Sequence, residues 1–205
     1  MNILALETST NICSVAIFID DKLAEINETN EPRIHSQKLP VFVDDIIKSS
    51  LSSINDLDGI AVSAGPGSYT GLRIGMSLAK GLAYASSLPI IPIPTLQSLE
   101  KQITMQSEHW VAIHSHRDLV FTQKFLKNTE NSDPKCISIS ELNNIPVFGY
   151  GISKYITTEN FTEICPSARW IGEIAINKYY ELKEENINSV NPLYLTEFNI
   201  SLDKK

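Results

Sequence analysis

At 205 residues, with 42% hydrophobic and 20% charged residues, the chain has ordinary globular composition and length for one large domain or two small ones. A net charge of −7 without a dense Lys/Arg cluster argues against a chain that grips a phosphate backbone alone. Cys13, Cys136 and Cys165 are odd in number and far apart, which excludes a disulfide frame or zinc site and points to reduced thiols in the cytoplasm.

The opening 1–6 is apolar, but Glu7 ends it, and it is too short for a signal h-region or a membrane span. Segments 2–7, 12–19 and 22–29 read as three successive strands with short turns at 8–11 and 20–21. A helix is predicted from about 36 to 51. Leu39, Val43, Ile46, Ile47 and Ser50 share one side of it, while Asp44, Asp45 and Lys48 face away. Pro40 lies near its start, where a missing N–H costs least. Strand 59–64 follows, and Gly65, Pro66 and Gly67 break it. Ser68 or Thr70 can cap a helix over 70–87 by accepting from first-turn N–H groups. Strand 90–94 and a helix from 95 to about 105 close the first half.

Within helix 70–87, Gly71, Gly75 and Ala79 fall at i, i+4 and i+8 and line one face. Each interior glycine costs roughly 1 kcal/mol relative to alanine, so the stripe implies close backbone approach. It packs on the protein's own sheet, or it forms a groove for another subunit's helix. Spacing leaves both readings open.

The second half repeats the theme faintly. Strands are predicted at 109–114 and 119–126 around a Ser115-His116-Arg117-Asp118 turn, followed by a polar, loop-containing stretch at 125–135. A strand at 146–148 ends in Gly149-Tyr150-Gly151, a helix-like segment runs from Ile152, strand 161–165 precedes a helix from 167 to about 184, and the tail 189–205 is extended or loosely ordered. The domains expected are 1–104 and a smaller, divergent 105–205. Three meander strands followed by β-α-β-α is the order of a ribonuclease-H-like half-domain. That unit builds the actin-like α/β superfamily of actin, hexokinase and Hsp70, with two related subdomains.

The run GPGSYTGLRIG at 65–75, between a strand and a small-residue helix, resembles the TsaB (YeaZ) family. The opening MNILALETST, His35-Ser36-Gln37 ahead of Leu39-Pro40, and Leu88-Pro89 leading to Thr95-Leu96 agree with it. The resemblance is strong over 1–100 and weak beyond. Where the family carries an Asp-Ala-Arg-like hairpin, this chain has His114-Ser115-His116-Arg117.

The resemblance implies a non-catalytic scaffold without a cofactor of its own. It would support a TsaD-like catalytic subunit that transfers threonylcarbamoyl from its adenylate to N6 of adenosine in tRNAs reading codons that begin with A. A TsaE-like ATPase would join, a homodimer would use the same helix face, and tRNA would be met only through the complex. The implied pairing surface carries Leu39, Val43, Ile46 and Ile47 on one helix and Leu72, Gly75, Met76 and Ala79 on the other, with Gly71 and Arg73 framing its N-terminal end.

Glu7, Thr8, Ser9 and Thr10 occupy the turn that in actin-fold kinases holds magnesium and approaches phosphate. Ser9 stands where such turns usually have glycine, so the turn is either structural and vestigial or touches nucleotide only within a complex. Gly65, Gly67 and Gly71 match neither a P-loop nor a dinucleotide fingerprint. The four histidines include no H-x-x-x-H pair for a metal, and no G-x-S-x-G elbow supports a peptidase. The rival reading is an autonomous actin-fold ATPase or kinase.

Overall fold

The computed structural model describes residues 1–127, 129–142, 144–156 and 160–195. In chain order the elements are β1 (Ile3–Glu7), β2 (Cys13–Ile19), β3 (Lys22–Thr29), α1 (His35–Ser50), β4 (Gly59–Ser63), α2 (Tyr69–Ser86), β5 (Ile90–Ile93) and α3 (Thr95–Glu100). They continue as β6 (His109–His116), β7 (Leu119–Leu126), β8 (Thr129–Glu130), β9 (Lys135–Ser138), β10 (Val147–Tyr150), β11 (Phe161–Glu163), α4 (Ala168–Asn177) and α5 (Tyr179–Leu182).

The first sheet has the order β3-β2-β1-β4-β5. Its β1–β2 and β2–β3 pairs are antiparallel, and its β1–β4 and β4–β5 pairs are parallel. The second sheet repeats that plan in β9-β7-β6-β10-β11, with two antiparallel pairs followed by two parallel ones. β8 adds a short strand beside β7. The chain is therefore α/β with an actin-like fold, its two ribonuclease-H-like sheets related in topology.

β1 is buried along its whole length, so its alternating side chains feed two cores. Leu4 and Leu6 face α1 and α2, packing with Leu39, Val43, Ile46, Met76 and Ala79. Ile3 and Ala5 face the opposite way, onto Ala168, Ile171 and Ala175 of α4. This last helix comes from the far end of the chain and covers the outer face of the first sheet. α3 instead puts Leu96 and Leu99 under the second sheet, with Val111, Phe121 and Phe125.

Three segments differ from their sequence reading. Gly151, at φ 74, swings the chain aside, and the Tyr155 N–H bonds Ile152 O at 2.9 Å, so a turn stands where a helix-like segment from Ile152 was expected. α3 stops at Glu100 instead of running to 105. The helix expected over 167–184 divides into α4 and α5 at Lys178, whose ψ of 24° is not helical. The polar stretch 125–135 includes the expected loop at 131–134, between β8 and the start of β9, both paired to β7. The 189–195 part of the tail has no regular structure, and 196–205 lies outside the described residues.

Candidate functional site

A cleft of about 1280 Å³ opens between the two sheets. The first sheet contributes the turn after β1 (9–11) and the start of α2 (67–69). The second contributes the β6–β7 hairpin (114–117) and the segment after β10 (150–154), and residues 193–195 cross its edge.

The turn after β1 is tied to α2 by its backbone. Ser68 N–H donates to Ser9 O at 2.7 Å, and Ser68 Oγ accepts from Gly71 N–H at 3.3 Å, which caps the helix. A Cβ on Gly67 would overlap Ser9 O, one on Gly71 would overlap Thr8 O, and one on Gly75 would overlap Thr8 Oγ1. The inner small-residue stripe thus lets α2 lie directly on the turn. Of the two readings open for it, packing within the chain is the one realised at Gly71 and Gly75.

Within the turn, Glu7 is fully buried and points inward, with Oε1 accepting from Ser9 N–H. Burial pushes its carboxyl above the usual range, against the lowering effect of hydrogen bonds from Ser9, Ser63 and Thr8. The same burial, with Glu7 nearby, pushes the Cys13 thiol up to about 11. Thr8 is buried too, its N–H donating to Ser63 Oγ at 3.2 Å. Only Ser9 and Thr10 of the four reach the cleft.

The sequence-derived residues of the two helices divide by direction. Leu39, Val43, Ile46, Gly71, Leu72, Gly75, Met76 and Ala79 are all buried, and the side chains among them pack inward. Ile47 is half-buried, and Arg73 is exposed. The Arg73 guanidinium lies 3.9 Å over the Tyr69 ring, and its Nε donates to the Tyr194 hydroxyl at 3.4 Å. Tyr194 also packs on Tyr69, with ring centroids 5.0 Å apart.

The outward face of α2 carries a second small-residue row that the sequence reading missed. Ser77, Gly81 and Ala85 are exposed at i, i+4 and i+8, flanked by half-buried Ile74, Leu78 and Leu82. A Cβ on Gly81 would meet nothing within 4 Å. The same spacing rule that singled out the inner stripe could have found this row. Val41 on α1 and Tyr84 on α2 are large apolar side chains 48% and 80% exposed.

The histidines are dispersed. His35 Nε2 lies 3.1 Å from Ile12 O, and His109 is buried between Phe125 and Phe148. Among the described residues no group of three or more His, Cys, Asp or Glu could hold a metal, and no helix is long and apolar enough to cross a membrane.

The family model for TsaD, tRNA N6-adenosine threonylcarbamoyltransferase, matches residues 26–162. The tRNA threonylcarbamoyladenosine biosynthesis protein TsaB of Haemophilus influenzae is 29% identical over an alignment spanning 95% of this chain and 93% of that protein. TsaB of Escherichia coli is 42% identical over 101 residues, which are 48% of this chain and 42% of that one. The solved structure of YeaZ from Pseudomonas aeruginosa superimposes with a TM-score of 0.80 at 22% identity, covering 95% of this chain and 99% of its own, and shares the fold.

Proposed function

This chain belongs to the family that the TsaD model describes and, within it, to the TsaB (YeaZ) proteins, and from that premise we propose that it is a non-catalytic subunit in tRNA threonylcarbamoyladenosine synthesis. In this reading it supports a TsaD-like catalytic subunit, with a TsaE-like ATPase as third partner. The observation that carries the reading is the nearly end-to-end likeness to the Haemophilus influenzae protein.

The pairing surface proposed is the outward side of α1 and α2. Leu39, Val43, Ile46, Gly71, Leu72, Gly75, Met76 and Ala79 fix the two helices on the first sheet. Ile47 and Arg73 then stand at the margins of a face carrying Ile74, Leu78 and the open Gly81. A row of small residues lets a second helix come close, and its apolar flanks supply area to bury. The same face would serve a homodimer. With a net charge of −7, the chain would leave most of the tRNA contact to its partners, and it would act in the cytoplasm.

The test is reconstituted tRNA modification with the same organism's TsaD-like and TsaE-like proteins, with and without this chain. Product only in its presence is the expected result. Equal product in its absence would overturn the accessory role.

A further inference from the structure

The chain that follows α5 runs back along the first sheet. At its start Glu184 forms an antiparallel bridge with Ile90 of β5: Ile90 N–H donates to Glu184 O at 3.1 Å, and Glu184 N–H to Ile90 O at 2.8 Å. β5 is the last strand of its sheet, so the bridge covers part of an otherwise open edge. Asn186 then turns the chain. Its carbonyl accepts from Ser189 N–H at 3.0 Å, and its side-chain oxygen accepts from Asn188 N–H at 3.2 Å. Buried Val190 and half-buried Ile187 pack into the core beneath α1 and α2.

Beyond Val190 the segment meets the start of α2. Leu193 N–H donates to Ala64 O at 2.7 Å, and Leu193 O lies so near Gly65 that a Cβ there would overlap it. Tyr194 then takes hold of the helix. Its ring lies 5.0 Å from that of Tyr69, and its hydroxyl accepts from Arg73 Nε at 3.4 Å. The Arg73 guanidinium covers Tyr69 from the same region, 3.9 Å from its centroid. One residue on, Leu195 packs against the core that α3 shares with the second sheet. The stretch up to Val190 is thus anchored by a buried side chain and a two-bond bridge. The stretch after it is held by exposed or half-buried side chains and the Leu193 bond. Segments with few buried contacts open at lower cost than the core they lie on.

We propose that residues 191–195 form a clasp, latched by Tyr194 on Tyr69 and Arg73, which couples the first turn of α2 to the second sheet and opens without unfolding either sheet. Its two attachments are adjacent residues, so moving one carries the other. Lifting Tyr194 uncovers Tyr69 and Gly65, on either side of the point where α2 begins, and displacing Leu195 pulls Tyr194 away. Arg73 stands at the margin of the pairing face. Occupancy of that face and the seating of the second sheet are therefore linked through the clasp, each biasing the other by the same factor. That consequence rests on the pairing reading; the clasp itself does not, and it is tested on the chain alone.

Residue-resolved native-state hydrogen exchange of the full chain is the test. Two amides report on it: Leu72 N–H, bonded to Ser68 O at 2.8 Å in the first turn of α2, and Leu193 N–H. Tyr194→Ala removes the ring contact and the bond to Arg73, so both amides are expected to exchange about tenfold faster. Amides of β1 and β2 should keep their protection, because Tyr194 is exposed and its loss leaves the core intact. Tyr194→Phe keeps the ring and loses only the hydroxyl, and should fall between parent and Tyr194→Ala. Leu195→Ser acts from the side of the second sheet and should also speed exchange at Leu72. Arg73→Ala acts from the side of α2 and should speed it at Leu193. Unchanged exchange at Leu72 in Tyr194→Ala, or an acceleration shared equally by β1 and β2, would overturn the clasp. So would a Leu195→Ser protein whose Leu72 amide is as slow as in the parent.

Discussion

Thr8 occupies the space that a side chain at Gly75 would need: its Oγ1 lies where a Cβ would go, and its Cβ and Cγ2 are each 3.4 Å from that point. Alanine at 75 gains roughly 1 kcal/mol of helix propensity, but forcing a methyl into a filled site costs about 1–3 kcal/mol. Both residues are buried, so the neighbours cannot yield cheaply. Gly75→Ala is expected to lower the urea midpoint, and Thr8→Ala combined with it should recover most of the loss through a coupling term. A Gly75→Ala protein at least as stable as the parent would remove the close contact from the account.

Gly81, in the same helix, is expected to behave oppositely. It is exposed and a methyl there meets nothing, so Gly81→Ala should stabilise the isolated chain by up to about 1 kcal/mol. Gly81→Trp is the functional counterpart. The tryptophan leaves the monomer folded but blocks close approach, so co-purification with the TsaD-like subunit should be lost while the melting temperature holds. Undiminished co-purification would move the pairing surface elsewhere.

These two glycines also mark how far the sequence could be read. The 3.6-residue period placed α1 and α2, and the triplet Gly65-Pro66-Gly67 placed the break between β4 and α2, because these are local signals. Direction was harder. The inner and outer small-residue rows of α2 have identical spacing, and only the position of the Thr8 turn tells them apart. The cleft was illegible for a similar reason. Ser9 and Arg117 are more than a hundred positions apart, and they share a wall-to-wall space only after both sheets have formed. The turn after Gly151 was missed because a helix-compatible sequence there follows a glycine whose positive φ redirects the chain.

The seat of α4 offers a separate test. A Cβ on Gly172 would overlap three carbons of the Phe18 ring, which is 2% exposed in the core beneath α4. Gly172→Ala should destabilise the chain by about 1–3 kcal/mol, read as a lower urea midpoint with an unchanged m-value. Phe18→Leu should offset part of that loss, since leucine has no ring at the point of overlap. If Gly172→Ala is neutral, α4 does not rest on the first sheet as described.

Glu7 makes stability depend on pH with a definite sign. Burial raises its folded carboxyl above the ordinary value, so the native state holds this proton to higher pH than the unfolded chain does. Its contribution is fully present below the unfolded value, and it is lost as pH rises through the raised folded one. Glu7→Gln keeps an oxygen to accept from Ser9 N–H and cannot ionise. It also exchanges one carboxyl oxygen for an N–H₂ in the same buried site, a change that does not vary with pH. The slope is free of it. The melting temperature of Glu7→Gln relative to the parent should therefore climb steadily from about pH 4.3, the ordinary glutamate value, towards neutrality. A flat or falling difference over that range would show that the native carboxylate ionises at no cost, which its full burial does not allow.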